Sequence, residues 1–179
     1  TIDKFIGDSL MIFFGDPDTQ GVQEDAAACC HMAMEMLAFL ESNQQHFQEM
    51  YNFPEKLEIR VGIHNGLCNV GNFGSAQRLD YTAIGRAVNV ASRLEQAAPK
   101  NSILVSSAVR NLIKNKFETS SPIELKAKGI DKPIASYVLT RQGSTNSKVI
   151  KEMDGLKLEY DPKKITKDKL LEIIDKLEN

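Results

Sequence analysis

Residues 60–95 read RVGIHNGLCNVGNFGSAQRLDYTAIGRAVNVASRLE, and the reading of the fold turns on them. LEIRVGIHNG (57–66) predicts a strand, and the glycines of LCNVGNFG (67–74) predict its hairpin partner. A helix over 86–96 follows, which puts Asn89 and Arg93 four residues apart on one face. Arg is a planar fork for phosphate oxygens, and Asn can orient a hydroxyl. The combination points to phosphate chemistry, although a surface helix with a structural arginine would look the same.

Working outward, IDKFIGDSLMIFFG (2–15) holds two short apolar runs around Gly7-Asp8, the pattern of a β-hairpin. On an extended strand, positions 4, 6 and 8 share a face, and Lys4 lies about 13 Å from Asp8. A carboxylate at a hairpin tip suits Mg²⁺, which takes oxygen ligands. Gly-Asp is also a common turn pair, and Lys4 an ordinary solvated strand residue. Residues 24–51 predict one long helix, with Ala28, Met32, Met36 and Phe39 marking its buried face. SILVSS (102–107) predicts a strand, followed by a short helix near 107–114. Residues 117–140 predict two or three antiparallel strands, with Lys126 and Lys128 in LKAKG as further candidates for phosphate binding. The order ββαββαβαββ gives an α+β sheet with helices on one face.

Composition narrows the function classes. The 179 residues are 42% hydrophobic with net charge −2, so a real core is expected and a basic nucleic-acid-binding face is not. No apolar run approaches the roughly 20 residues needed to span a bilayer. Cys29, Cys30 and Cys68 show no CxxC spacing, which predicts packing residues in a reducing, cytosolic setting. The sequence opens inside a strand pattern without a Met and is expected to be a piece of a larger protein. After Thr140 the character changes: 141–154 predicts a linker, and 155–179 a strand and an amphipathic helix over 167–177.

Taken in order, DKFIGDSLMIFFGDP, RVGIHNG with GNFGS, DYTAIGRAVNVASRLE and LKAKG resemble the catalytic domain of the class III nucleotidyl cyclases, bacterial adenylate cyclase type, over residues 1 to about 140. The resemblance implies a ferredoxin-like βαββαβ sheet, here with its first strand missing. It implies ATP as substrate and two Mg²⁺ (or Mn²⁺) ions per site. It also implies a homodimer with sites between subunits, regulatory domains in the parent chain, and a cytoplasmic location. Asp8 matches one of two metal-binding aspartates. Lys4 and Thr82 match the purine-reading positions, Asn89 the ribose-orienting asparagine, Arg93 the transition-state arginine, and Lys126 the lysine for the terminal phosphates. In that geometry Asp8 serves one site of the dimer and the remaining residues serve the other, contrary to a single-chain Lys4–Asp8 site.

Two departures stand out. The family's first metal aspartate belongs to an upstream F-x-D-I-x-G-F segment that this sequence does not contain, so these residues alone are expected to be weakly active or inactive. Arg86 occupies a position where relatives commonly carry Asp. Guanylate cyclase is the nearer alternative, with Lys4 against it, since guanylate cyclases typically place Glu there. A non-catalytic dimerising or nucleotide-sensing relative is the other. A diguanylate cyclase would need GG[DE]EF at the first hairpin, where this chain has IGDSL.

Overall fold

A computed structural model describes residues 1–75, 77–125, 134–142, 149–153 and 156–160. The chain forms two units, 1–143 and 144–179. The first contains β1 (Ile2–Ile6), β2 (Ser9–Ile12), α1 (Val22–Ser42), α2 (Gln44–Tyr51), β3 (Arg60–Ile63), β4 (Asn69–Ser75) and β5 (Arg78–Ile84). It continues with α3 (Arg86–Ala97), β6 (Ser102–Ser106), α4 (Ser107–Ile113), β7 (Phe117–Thr119), β8 (Ile123–Leu125) and β9 (Ile134–Gln142). In the second, β10 (Val149–Met153) pairs antiparallel with β11 (Leu156–Tyr160). The expected linker over 141–154 is therefore interrupted by a strand. The expected helix over 167–177 lies outside the described residues.

Ile103-Leu104-Val105 has no polar side, and a strand of that kind needs cover on both faces. It forms β6, paired parallel to β3 and antiparallel to β9; β7 and β8 also pair with β9, completing a mixed five-stranded sheet. Ile103 and Val105 point with Ile63 into a core shared with Ala26, Cys30 and Ala33 of α1 and Val109 and Ile113 of α4. Leu104 points the other way, onto Val90 and Leu94 of α3. The α+β class is as expected. The expectation that all helices share one face is corrected: α1 and α4 do, and α3 covers the opposite face. Gly62, opposite Leu104 in register, shows how close α3 lies, because a Cβ there would sit 2.2 Å from the Glu95 nitrogen.

Three further expectations change. First, the partner of β3 is β6; β4 instead forms its hairpin with β5, a strand the sequence reading did not separate from the loop before α3. Second, the long helix breaks at Asn43, whose Nδ2 donates to the Phe39 carbonyl at 2.7 Å and so competes with the helical ladder. Beyond the break, the Gln44 amide donates to Leu57 O (2.7 Å) and accepts from Leu57 N (2.9 Å). Third, the buried stripe of α1 is Ala26, Ala27, Cys30 and Ala33, whereas Ala28, Met36 and Phe39 are exposed and Met32 is half-buried. Small residues let α1 approach the sheet closely; the larger side chains stay outside, Phe39 edge-on to Phe47 of α2. Among the described residues no helix is long and apolar enough to cross a membrane.

Candidate active site

Ile6 pairs with Ser9, leaving Gly7-Asp8 as a two-residue turn, with Gly7 at φ 64° in the first position. A positive φ there suits the tight hairpin turns whose twist matches the strands. Asp8 sits exposed at the tip and makes no ion pair or hydrogen bond among the described residues. It belongs to the turn, not to an extended strand shared with Lys4, so the same-face, 13 Å reading of the pair does not hold.

The ladder between β1 and β2 slips once. Ile2 faces Ile12 and Lys4 faces Met11, so Asp3 is the extra residue of a bulge. Bulges re-aim side chains, and this one sends the Asp3 carboxylate inward, where its side chain is 1% exposed. Asp3 Oδ2 accepts from Thr82 Oγ1 at 2.6 Å and from Ala83 N at 3.4 Å, both on β5. Its Oδ1 lies 3.6 Å from Lys4 Nζ, and the Lys4 side chain remains 40% exposed. Beside Lys4 opens a cleft of about 310 Å³ lined by Asp3, Lys4, Phe5 and residues 78–81. Lys4 and Thr82 are thus brought together through a carboxylate that the sequence reading passed over. The signal for it was an acidic residue beside Lys4 in a strand whose other residues are apolar.

On α3, Val90 and Leu94 are buried, which turns Asn89 and Arg93 outward. Arg93 Nη1 donates to Gln96 Oε1 at 3.0 Å. Among the described residues no hydrogen bond or ion pair joins Asp8, the Lys4–Thr82 pair and the Asn89–Arg93 pair to one another. Arg86 is exposed at the first turn of α3, and nothing in the structure explains it. Lys126 and Lys128 lie outside the described residues.

His64 follows β3, with Nδ1 2.8 Å from Ser106 Oγ, and burial lowers its pKa from the usual 6.5. Burial also pushes the Cys29 thiol up to about 11 and Cys30 to about 12, which keeps both protonated and unreactive, as packing residues should be. Cys68 is exposed.

The family described as the adenylate and guanylate cyclase catalytic domain matches residues 3–141. An adenylate cyclase of Anabaena cylindrica is 33% identical over 141 residues, which is 76% of this chain and 27% of the relative. This chain thus spans about a quarter of that relative's length. The crystal structure of the adenylyl cyclase CyaB from P. aeruginosa superposes with a TM-score of 0.76 at 42% identity, covering 80% of this chain and 73% of that one. The guanylyl cyclase Cya2 superposes with a TM-score of 0.74 at 28% identity, covering 82% and 73%.

Proposed function

The chain belongs to the family of adenylate and guanylate cyclase catalytic domains, and from that premise we propose that its parent protein converts ATP to 3′,5′-cyclic AMP and pyrophosphate. The observation that carries the choice of purine is the Lys4 ammonium, partly exposed at the cleft and steadied by Asp3. An ammonium only donates hydrogen bonds. It complements the acceptor N1 of adenine and opposes the N1–H of guanine. Thr82 lies on the other side of the same carboxylate and reads the neighbouring position of the base.

Asn89 then holds the ribose so that its 3′-hydroxyl faces the α-phosphorus. The 3′ hydroxyl gives up its proton to solvent water as its oxygen bonds to that phosphorus, the bond to the bridging oxygen of the β-phosphate breaks, and pyrophosphate carries away the electron pair. Arg93, outward on α3 and tied only to Gln96 among the described residues, can swing onto the charge that grows on the phosphoryl oxygens. Lys126 is assigned to the terminal phosphates. Most of the acceleration comes from positioning and charge stabilisation.

Asp8 fits one place in a divalent-cation site: it is an exposed carboxylate without a competing partner among the described residues. Mg²⁺ is often held by one or two carboxylates plus substrate phosphates. No group of three or more potential ligands occurs among the described residues. Bound there, Mg²⁺ or Mn²⁺, two per site, would acidify the hydroxyl and neutralise the leaving group.

The working unit is a homodimer. Large apolar side chains stand exposed on and beside the two hairpins: Phe5, Ile6, Leu67, Leu79 and Ile84. Exposed apolar side chains clustered in sequence around two hairpins are the kind of surface that meets a partner. Regulatory domains are assigned to the remainder of the parent chain, and the location is cytoplasmic, which suits three free thiols. Guanylate cyclase is the second reading, supported by the likeness to Cya2; Lys4 is the residue against it. The test is product identification after incubating the full-length parent protein with ATP and, separately, GTP. Cyclic AMP is expected; cyclic GMP alone would overturn the purine assignment.

A further inference from the structure

A threonine hydroxyl has one hydrogen and two lone pairs, and which of these a ligand meets depends on where the hydrogen goes. At Thr82 it goes to Asp3. The 2.6 Å contact joins the hydroxyl to a carboxylate that can only accept, and Asp3 is fixed in turn by the Ala83 N–H. Thr82 Oγ1 therefore has only lone pairs left to offer. The other oxygen of the same carboxylate faces Lys4, whose ammonium only donates.

We infer that Asp3 is a positioning residue that sets the polarity of the purine-reading pair. It makes Thr82 an acceptor and holds Lys4 as a donor, so that together they match adenine. The inference rests on the adenylate cyclase reading above. Adenine presents a donor at its exocyclic N6 amine, whereas guanine presents the acceptor O6 at that place. An unconstrained threonine could turn its hydrogen outward and suit either base. Asp3 removes that freedom without touching the nucleotide, and the bulge in β1 is what brings it within reach.

Asp3→Asn tests this in the full-length parent protein. The amide oxygen stays on the Thr82 hydroxyl and the Ala83 N–H, which share one acceptor, so the NH2 turns toward Lys4, donor against donor, and the ammonium is no longer held. The ATP-to-GTP ratio of kcat/KM is expected to fall by about tenfold or more, with unchanged circular dichroism. Thr82→Val should lower the ratio similarly, and Thr82→Ser should keep it. Equal losses with both nucleotides, or an unchanged ratio in Asp3→Asn, would overturn the assignment and mark Asp3 as purely structural. If Asp3→Asn does not fold, the valine and serine variants decide: a retained ratio in Thr82→Val overturns it. A wild-type enzyme that selects GTP would overturn the underlying reading as well, whereas an ATP-selective wild type with an indifferent Asp3→Asn would remove only the role of Asp3.

Discussion

Strands β1 and β6 are both five residues long, and each carries three large apolar side chains, yet their surroundings are opposite. In β6, Ile103, Leu104 and Val105 are buried between two neighbouring strands and helices on both faces. In β1, Ile2, Phe5 and Ile6 are mostly exposed, Phe5 at 75%, because the strand pairs only with β2 and lies against β5. The first is scaffold: its side chains hold the domain together. The second carries the residues proposed for recognition: its one well-buried side chain, Asp3, is polar, and its apolar side chains stand exposed. On the proposed reading, scaffold and recognition reside on separate side chains, even where one element such as α3 carries both, and each should be perturbable without the other.

The hardest test of the scaffold half is Gly62→Ala. The added methyl would meet the backbone of α3, which cannot move aside as a flexible side chain could. A loss of about 3 kcal/mol or more is expected, read as a lowered urea midpoint. A wild-type midpoint would mean that α3 is not seated as described.

The proposed chemistry is tested by Arg93→Ala, on the outward face of α3, in the full-length protein. A fall in kcat of about a hundredfold is expected, with a much smaller change in KM. Since Arg93 is exposed, thermal stability should stay within about 0.5 kcal/mol of wild type. Unchanged kcat would take Arg93 out of the chemistry, and a large loss of stability would break the separation of roles.

A smaller, pH-dependent effect belongs to His64. Its folded pKa is depressed, so above the usual 6.5 the imidazole is neutral in both states and costs nothing. As pH falls below 6.5 the unfolded chain takes up a proton that the folded chain resists, and stability declines through the folded pKa. His64→Gln should flatten that decline in urea melts between about pH 7 and 5. An equal slope in both proteins would assign it elsewhere.

How much of this was legible from residues alone depended on whether neighbours in sequence or in space decided the matter. The Gly7-Asp8 turn and the outward Asn89–Arg93 pair follow from local rules, turn chemistry and helical period, and both were read. The buried stripe of α1 was not, because two adjacent apolar stripes compete there, and only the sheet and α4 select the one with small residues. β5 was hidden inside a stretch that also had to supply the entry to α3. Asp3 could not be found by spacing, since its role comes from a one-residue slip in a ladder and a contact with a residue 79 positions away. The break at Asn43 was the nearest miss, a side chain that shares a carbonyl with its own helix.

Beyond that break, the Gln44 amide matters for engineering. Its paired hydrogen bonds to Leu57 do the work of a single rung of sheet, closing the run 45–56 at its base. Residues 51–56 of that run are exposed and carry no regular structure beyond Tyr51. Loop closure grows more costly only slowly, by about 0.6 kcal/mol for each doubling of length. The segment 52–56 is thus a place where a peptide tag or fluorophore could be spliced in, with the clamp holding the base of the loop closed.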